Sequence, residues 1–500
     1  MTKVDQRSKG SRVLTTANSS LRRRRATLVL VLAFAASMAV PALASAASFA
    51  PVARPEVGIE DEDVVFGSQA TTIVPAWRAM GVDSVRIEAY WDALSPNPTS
   101  ATMPPGFNPA NPNDPQYDWT PLDRAIGIVL ANGMGVNLTI HNCNPRWAST
   151  QPSVATHCWR PNPTLYAQFA SAVVRRYNGR IRRVLLGMEP NQRQFLAPQF
   201  TCAGRRCTPA SPHIYRALVR AAYPAIKAIA PGLQVLIGEL APIGSRPSPN
   251  SGMKPLLFFR EMGCVDNRFR PIRGGRCAGF KPAVGDAIGY HPYVNNRKSP
   301  TFHIKDPDIA KIGDLKKLFI TIDSMSRKHR LNPRRGRRFT FYFTEYGYIS
   351  NPPSGKFGVS LPRQSLYNSQ TAYIVWQNRS RIKLLSQYLW FDDATFGTGL
   401  LRSNGVPKPA LGTFPHPFFI DGTLRKTRFW GQVRPDAQRQ IQLQERRRGS
   451  ATFKTVRTAN TDAGGYWTFV MRAHRGSVYR FVYTTATGPV TSATLGAPPR

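Results

Sequence analysis

Acidic residues are scarce in this chain of 500 residues. Only 28 Asp and Glu residues stand against 67 Lys and Arg residues, which gives a formal net charge of +39. Such a charge favours polyanions as partners, for example an anionic cell-wall polymer, although an arginine-rich solvated surface gives the same number. The sequence has no zinc-finger spacing, helix-turn-helix pattern or aromatic RNA-binding motif, so specific nucleic-acid recognition is not expected.

Long apolar runs are missing beyond the first 50 residues, so we expect no transmembrane segment there. The N-terminus has an arginine-rich region, an apolar stretch from Ala26 to Val40, Pro41, and small residues at Ala44 and Ala46. This pattern predicts a cleaved signal peptide over residues 1–46 and a protein that is secreted, extracellular or cell-wall associated. An uncleaved membrane anchor is the alternative, and Pro41 with the small residues favours cleavage.

Cysteine is limited to six residues, which fall in near pairs that each bracket a polar loop. In an oxidising compartment this spacing predicts three local disulfides, although six cysteines allow fifteen connectivities. No histidine accompanies the pairs at the spacing of a zinc site, so we predict no metal. The predicted pairs are Cys143 with Cys158, Cys202 with Cys207, and Cys264 with Cys277.

A glycine-rich phosphate loop, a metal triad and internal repeats are also absent, and no cofactor is predicted. Instead, strand-like and helix-like segments alternate from about residue 57 to 415. Eight such alternations predict a (β/α)8 TIM barrel. The strand-like segments are "VGIEDEDVVF", "SVRIEAYW", "GVNLTIHN", "RRVLLGMEP", "LQVLIGEL", "VGDAIGYHPY", "FTFYFTEYGY" and "LLSQYLWFDD".

The pattern changes after Phe414. Apolar and polar residues alternate with a period of two in "RQIQLQE", "ATFKTVRT", "GYWTFVMR" and "VYRFVYTT", and turn residues separate these segments. This predicts a small C-terminal antiparallel β-sandwich. It resembles the immunoglobulin-like modules appended to secreted bacterial enzymes. The predicted organisation is therefore a signal peptide (1–46), a barrel (47–417) and an immunoglobulin-like β-sandwich (418–500).

In such barrels the functional residues lie at the C-terminal ends of the strands. Two carboxylates, Glu189 after the fourth strand and Glu345 in the seventh, stand at these ends, and Glu239 is a fallback acid. Two carboxyl groups that face one pocket are the groups that glycoside hydrolysis requires. The other candidates at or near strand ends are Arg86, His141, Asn142, Trp147, Asn191, His291, Tyr293 and Trp390.

Several of these residues stand in recognisable motifs: "GMEPN" at Glu189, "TEYG" at Glu345 and "HPY" at Tyr293. They resemble the clan A retaining glycoside hydrolases, broadly like families 5 and 39, over residues 57–415. The resemblance implies that Glu189 is the acid/base and Glu345 the nucleophile. It also implies that Arg86 and Tyr293 keep Glu345 ionised and oriented, and that Trp390 stacks on the sugar.

Met188 departs from that resemblance, because the clan has an asparagine there whose amide binds the sugar 2-OH. A thioether donates no hydrogen bond and accepts poorly. Three explanations stay open: the substrate lacks the contact, Asn142 or Asn191 supplies it, or catalysis is impaired. Met188 is a plain packing residue if the alternation of the strand turns it away from the site.

The sequence therefore predicts a secreted O-glycosyl hydrolase that cleaves β-linked poly- or oligosaccharides by a retaining double displacement, and Met188 predicts that this enzyme is selective or slow. The alternative is a non-catalytic carbohydrate or cell-wall binding protein on a degenerate barrel. A general polyanion binder is a third option that rests on the net charge.

Overall fold

The computed structural model describes residues 54–294, 297–334, 338–394, 396–435 and 438–499. The predicted signal peptide lies outside the described residues. Among the helices that are described, none combines the length and apolar character that a membrane crossing needs.

Eight parallel strands form a closed barrel, as the sequence predicts, and each of the eight strand-like segments contributes one strand. The order around the barrel follows the chain, and the last strand pairs with the first through Glu56↔Leu384 to Glu60↔Tyr388. The strands are β1 (Glu56–Glu60), β2 (Ser84–Ala89), β3 (Gly135–Ile140), β4 (Arg183–Leu186), β5 (Gln234–Leu240), β6 (Ala287–Tyr290), β7 (Phe341–Tyr346) and β8 (Ile382–Tyr388).

Helices connect the strands and surround the barrel. In the helix Pro163–Tyr177, the Asn162 side chain accepts hydrogen bonds from the first-turn N–H groups of Thr164 and Leu165, and a proline follows the cap. Such caps satisfy donors that the first turn leaves free. The helices are α1 (Glu62–Val65), α2 (Ala70–Ala79), α3 (Trp91–Leu94), α4 (Thr120–Ala131), α5 (Pro163–Tyr177), α6 (Ser211–Ile229), α7 (Pro255–Met262), α8 (Leu315–Arg327), α9 (Leu361–Gln377) and α10 (Pro409–Thr413).

The interior of the barrel is filled at its N-terminal end. Arg183 donates to Glu56 at 2.6 Å and to Asn137 at 2.5 Å, and its guanidinium lies 4.7 Å from the ring centre of Tyr342. An apolar layer packs inside the barrel from Leu185, Leu236, Ala287, Tyr342 and Leu384. Packed side chains therefore fill this end of the barrel.

Two antiparallel sheets follow the barrel, in agreement with the predicted β-sandwich. Aromatic pairs such as Phe429 with Tyr479 and Trp467 with Phe481 join the sheets in one apolar core, and Trp430 and Trp467 are buried. One sheet contains β9 (Phe418–Thr423), β10 (Lys426–Gln432) and β13 (Tyr466–Met471). The other contains β11 (Gln440–Arg446), β12 (Lys454–Asn460), β14 (Val478–Thr485) and β15 (Gly488–Thr491), and Leu495–Gly496 pairs with β14.

The sandwich packs on helix α9 of the barrel. Tyr373 of α9 donates from its hydroxyl to Asp421 at 2.9 Å, and its ring contacts Phe419 and Trp430. A small apolar cluster of both parts buries Tyr373 and Trp430. The immunoglobulin-like relationship and the boundary at residue 417 stay predictions.

Three disulfides join the cysteine pairs that the sequence predicts. Their Cα–Cα distances are 4.1 Å for Cys143–Cys158, 4.0 Å for Cys202–Cys207 and 5.7 Å for Cys264–Cys277, all within the ordinary range or slightly shorter. The first disulfide joins two residues of the segment between β3 and α5.

Candidate active site

Glu189 is positioned by the turn that follows β4. Gly187 adopts a positive φ of 85°, and a Cβ there would lie 3.1 Å from Asn142 and from Tyr215. The Asn142 side chain accepts a hydrogen bond from the Met188 N–H at 2.6 Å. This fixed turn directs the Glu189 carboxylate to the barrel axis, where its Oε1 lies 2.9 Å from Nδ1 of His291.

Glu345 lies inside the barrel mouth on β7, opposite Glu189. Arg86 donates to its Oε1 at 2.7 Å, and the Tyr293 hydroxyl donates to its Oε2 at 3.0 Å. One carboxylate oxygen of Glu189, one of Glu345 and one ring nitrogen of His291 all lie within 4.8 Å of one another. Glu345 is almost fully buried, whereas 13% of the Glu189 side chain remains exposed. One carboxylate is thus held rigidly, and the other faces the opening.

Arg86 is the centre of a buried group of carboxylates. Its guanidinium lies 2.6 Å from Glu60, 2.8 Å from Glu88 and 2.7 Å from Glu345, and its Nε donates to Thr139 at 2.9 Å. The oxygens of the three glutamates lie within 4.8 Å of one another, a spacing at which carboxylates can share a cation. The guanidinium supplies that positive charge, because it contacts all three.

Burial changes the protonation of this group. It raises the pKa of Glu345, an effect that His291 and Arg86 oppose. Burial raises the pKa of Glu60 well above its usual value, and Glu345 and Glu88 add to the effect while Arg86 opposes it. The same cause and the Glu88 charge raise the pKa of Glu62, whose carboxylate accepts from the Tyr90 hydroxyl. Burial therefore favours the protonated forms of Glu60 and Glu62, whereas His291 and Arg86 oppose its effect on the pKa of Glu345.

His291 bridges three carboxylates. Its Nδ1 lies 2.9 Å from Glu189 and 3.4 Å from Glu345, and its Nε2 lies 3.3 Å from Glu239. Burial alone would lower the pKa of His291, but the carboxylates outweigh it and raise the pKa to about 10. His291 is therefore an imidazolium at neutral pH.

Aromatic side chains surround the carboxylates. On one side Tyr90 packs against His141, which meets Phe195 edge-on. On the other side Tyr388 contacts Tyr293 and Phe396. The ring of His141 is neutral because burial lowers its pKa, and its Nδ1 accepts from the Cys143 N–H at 3.1 Å. A mouth lined by rings and closed by carboxylates suits a ligand with both apolar faces and hydroxyl groups.

Three predicted site residues lie elsewhere. The Trp147 indole donates to Pro96 and packs against Phe107, so it belongs to a loop core. Asn191 is fully buried and uses its amide on the backbone of neighbouring loops. Trp390 packs edge-on against Trp77 of α2. The aromatic residue of β8 that meets Tyr293 is instead Tyr388.

Met188 faces the site. Nη2 of Arg86 donates to its sulfur at 3.2 Å, so the side chain lies against the guanidinium that holds Glu345. It therefore does not point into the layer between strands and helices. Asn191 uses its NH₂ group on three backbone carbonyls and is not free to replace a donor at Met188. Asn142 donates to the Phe195 carbonyl and has a second N–H that this bond does not use.

Four residues of the candidate site were not predicted from the sequence: Glu60, Glu62, Glu88 and Tyr388. A signal was present for three of them. Glu60 and Glu88 stand near the ends of "VGIE" and "SVRIEA", and Tyr388 is the last residue of β8. Glu62 follows β1 in a short helix that the periodicity does not reveal.

Substitution of Glu62 by glutamine tests the protonation of the group. Because the folded-state pKa of Glu62 is raised, its contribution to stability is full below its ordinary pKa and is lost as pH rises through the folded value. The melting temperature of Glu62→Gln relative to wild type should therefore increase from about pH 5 to about pH 8. Differential scanning fluorimetry at both values measures this.

Glu56→Gln is the matched control, because Arg183 and Arg182 lower the pKa of Glu56 against the effect of burial. Glu56 is ionised across the same pH range in the folded and the unfolded protein. The difference in melting temperature between Glu56→Gln and wild type should therefore stay constant. If the melting-temperature difference between Glu62→Gln and wild type were also constant with pH, this would contradict the raised pKa of Glu62.

No protein-family model matches this chain, and no curated protein sequence matches it. Among solved structures, a family 39 glycoside hydrolase from Bacteroides cellulosilyticus WH2 is 14% identical, with a TM-score of 0.50 over 84% of this chain and 81% of that one. Similar structures also include fungal β-1,4-galactanases, at 15% identity and a TM-score of 0.45 over 72% of this chain and 99% of that one. GH5_18 from Streptomyces cattleya, in complex with GlcNAc, is 16% identical with a TM-score of 0.43 over 72% and 78%. The fold is thus one that glycoside hydrolases have.

Proposed function

We propose that this protein is a secreted glycoside hydrolase that cleaves β-glycosidic bonds in a poly- or oligosaccharide by a retaining double displacement. Glu345 is the nucleophile and Glu189 the acid/base. The observation that carries the proposal is the pair itself: carboxylate oxygens of Glu189 and Glu345 lie within 4.8 Å, at the C-terminal mouth of the barrel. Such closeness of one oxygen from each group supports a retaining arrangement, because retaining enzymes hold their two carboxyl groups nearer together (about 5–5.5 Å) than inverting enzymes do (about 6.5–9.5 Å).

The surroundings give the two carboxylates different tasks. Glu345 is buried and held by Arg86 and Tyr293, which suits attack on the anomeric carbon from a fixed position. Glu189 lies at the exposed side, where it can protonate the departing oxygen and then deprotonate a water. In the first step the C1–O bond to the leaving group breaks as the bond to Glu345 forms. In the second, water displaces Glu345 and returns its proton to Glu189.

Secretion is supported by the N-terminal pattern and by three disulfides, which persist mainly in oxidising compartments. The basic composition favours binding to an anionic cell-wall polymer, which would either hold the enzyme at the cell wall or serve as its substrate. No cofactor is required by the chemistry.

The experiment is a hydrolysis screen of residues 47–500. The protein is incubated with 4-nitrophenyl β-glycosides and with β-linked oligosaccharides, and proton NMR records the anomer that appears first. Release of the β-anomer, absent in Glu345→Gln, is the expected result. Initial release of the α-anomer would contradict retention, and equal release by Glu345→Gln would contradict the assignment of the nucleophile.

A non-catalytic carbohydrate binder is the second candidate, and Met188 favours it. The thioether occupies the place next to Arg86 where the resemblance expects an amide donor. Such a protein would bind glycans on an array without cleaving any of them. Binding by wild type and Glu345→Gln with equal affinity, together with a negative screen, would favour this second function.

A further inference from the structure

A carboxylate that the proposed chemistry does not use lies beneath the site. Glu239, on β5, is fully buried, and its Oε2 accepts from the Thr344 hydroxyl at 2.6 Å and lies 3.3 Å from Nε2 of His291. Its Oε1 has no hydrogen-bond partner among the described residues. A buried polar atom without a hydrogen-bond partner costs free energy, so the burial of this side chain calls for a structural reason.

The backbone is built to bring Glu239 there. The pairing of β5 with β6 shifts register between Gly238 and Leu240, and Glu239 itself adopts a positive φ of 51°. Bulges of this kind redirect a side chain and are frequent beside active sites. Gly289 on β6 leaves the space, because a Cβ at that position would lie 1.5 Å from Oε1 of Glu239.

We propose that Glu239 is a positioning residue that acts through His291: it holds the ring cationic, with Nδ1–H directed to Glu189. This deepens the proposed function and rests on it only for its catalytic consequence. In this arrangement His291 lies between two carboxylates. It donates from Nδ1 to Glu189 and from Nε2 to Glu239. Nδ1 of His291 lies 2.9 Å from Oε1 of Glu189, the carboxylate that must protonate the leaving group.

The charges around His291 are consistent with this role. Glu189 faces the ring from the turn after β4, Glu239 from β5 and Glu345 from β7, and Tyr293 meets it edge-on. Arg86 is the cation of the neighbouring carboxylate group, and it contacts Glu345 rather than the ring. These carboxylates support the raised pKa of His291, against its burial. With its pKa raised to about 10, the His291 ring holds its second proton at neutral pH.

Loss of the Glu239 charge should release that proton at lower pH. An opposite charge within about 4–6 Å changes a pKa by 1–3 units, so Glu239→Gln should increase the acid dissociation constant of His291 about 10- to 1000-fold. Glu239→Asp keeps the charge and should restore part of the difference. Gly289→Ala should act like Glu239→Gln, because it displaces the carboxylate without removing an ionisable group.

The measurement is the titration of the His291 ring by ¹³C and ¹⁵N NMR in residues 47–500, assigned with His291→Asn among the eight histidines of the chain. Glu56→Gln, which removes a carboxylate at the other end of the barrel, is the control and should leave the midpoint in place. The expected result is a lower midpoint in Glu239→Gln and Gly289→Ala alone. An unchanged midpoint in Glu239→Gln, or an equal shift in Glu56→Gln, would overturn the proposal.

The catalytic consequence is measured separately. If a 4-nitrophenyl β-glycoside is cleaved, the basic limb of kcat/KM should move to lower pH in Glu239→Gln, and Glu239→Asp should move it back. A shifted His291 titration without any hydrolysis would reject the proposed function and retain the role of Glu239. Hydrolysis with an unchanged His291 titration in Glu239→Gln would retain the proposed function and reject the role of Glu239.

Discussion

Replacement of Glu345 by glutamine is expected to abolish hydrolysis of every glycoside that the wild type cleaves. The amide is nearly isosteric, so the contacts with Arg86 and Tyr293 are partly kept, but the nucleophile and the charge that stabilises the sugar cation are lost. Removal of an enzyme nucleophile can lower kcat by about 10⁶-fold. Initial rates with a 4-nitrophenyl β-glycoside, at enzyme concentrations high enough to detect the residual rate, measure this.

Glu189→Gln is the matched comparison, because it makes the same chemical change in the other carboxylate. A 2,4-dinitrophenolate departs without a proton, so Glu189→Gln should still form the glycosyl-enzyme from a dinitrophenyl glycoside and show a burst of product. Added azide should then release a β-glycosyl azide, since a small anion needs no general base. Glu345→Gln should show neither burst nor azide product. Identical behaviour of the two variants would contradict the division of roles.

The barrel was predictable because its signal is local. Each strand segment is apolar over four to seven residues and ends at a turn, and helix patterns separate the segments. Glu189 and Glu345 followed from their place at strand ends, since all parallel strands of a barrel end at one mouth. Arg86 and Tyr293 needed the resemblance, and both contact Glu345 as it implies.

The missed residues depend on properties that a sequence does not display. Trp390 and Tyr388 are two positions apart in "QYLWF", and only the end of β8 decides that Tyr388 faces Tyr293 while Trp390 packs on Trp77. Asn191 is of a residue type that often contacts ligands, but its amide donates to the buried carbonyls of Ala241 and Met253. These carbonyls come next to Asn191 only when loops that are distant in sequence meet.

The carboxylates around Arg86 show the same limitation at longer range. Glu60 on β1 and Glu88 on β2 meet Glu345 on β7 only because β8 closes the barrel against β1. A charged residue within a strand is ordinarily interpreted as a solvent-facing or surface ion-pair residue. In a closed barrel the inward positions of distant strands become neighbours, so the raised pKa values of Glu60 and Glu345 depend on the closure of the barrel.

Met188→Asn is expected to increase turnover of ordinary β-glycosides. In wild type the sulfur accepts weakly from Nη2 of Arg86 and offers the sugar no donor. An asparagine carbonyl can accept from the same nitrogen, which would orient its NH₂ group toward the 2-OH. A donor that acts where charge develops contributes about 2.7–4 kcal/mol, or 10²–10³-fold in kcat. Steady-state rates with 4-nitrophenyl β-glycosides measure the change.

The control variant is Met188→Leu, which removes the sulfur but keeps an apolar side chain, and its rate should remain at the wild-type level. The control substrate is the 2-deoxy glycoside, for which Met188→Asn should bring no gain because the hydroxyl that it binds is missing. This comparison isolates the contact between residue and hydroxyl in the manner of a double-mutant cycle. An equal gain with both substrates would mean that the introduced amide acts through Arg86 and Glu345 instead.

If neither substrate is turned over faster, the thioether costs no transition-state contact. Met188 then acts only as an apolar surface beside the guanidinium, and a substrate with a modified 2-position becomes the better fit to this site.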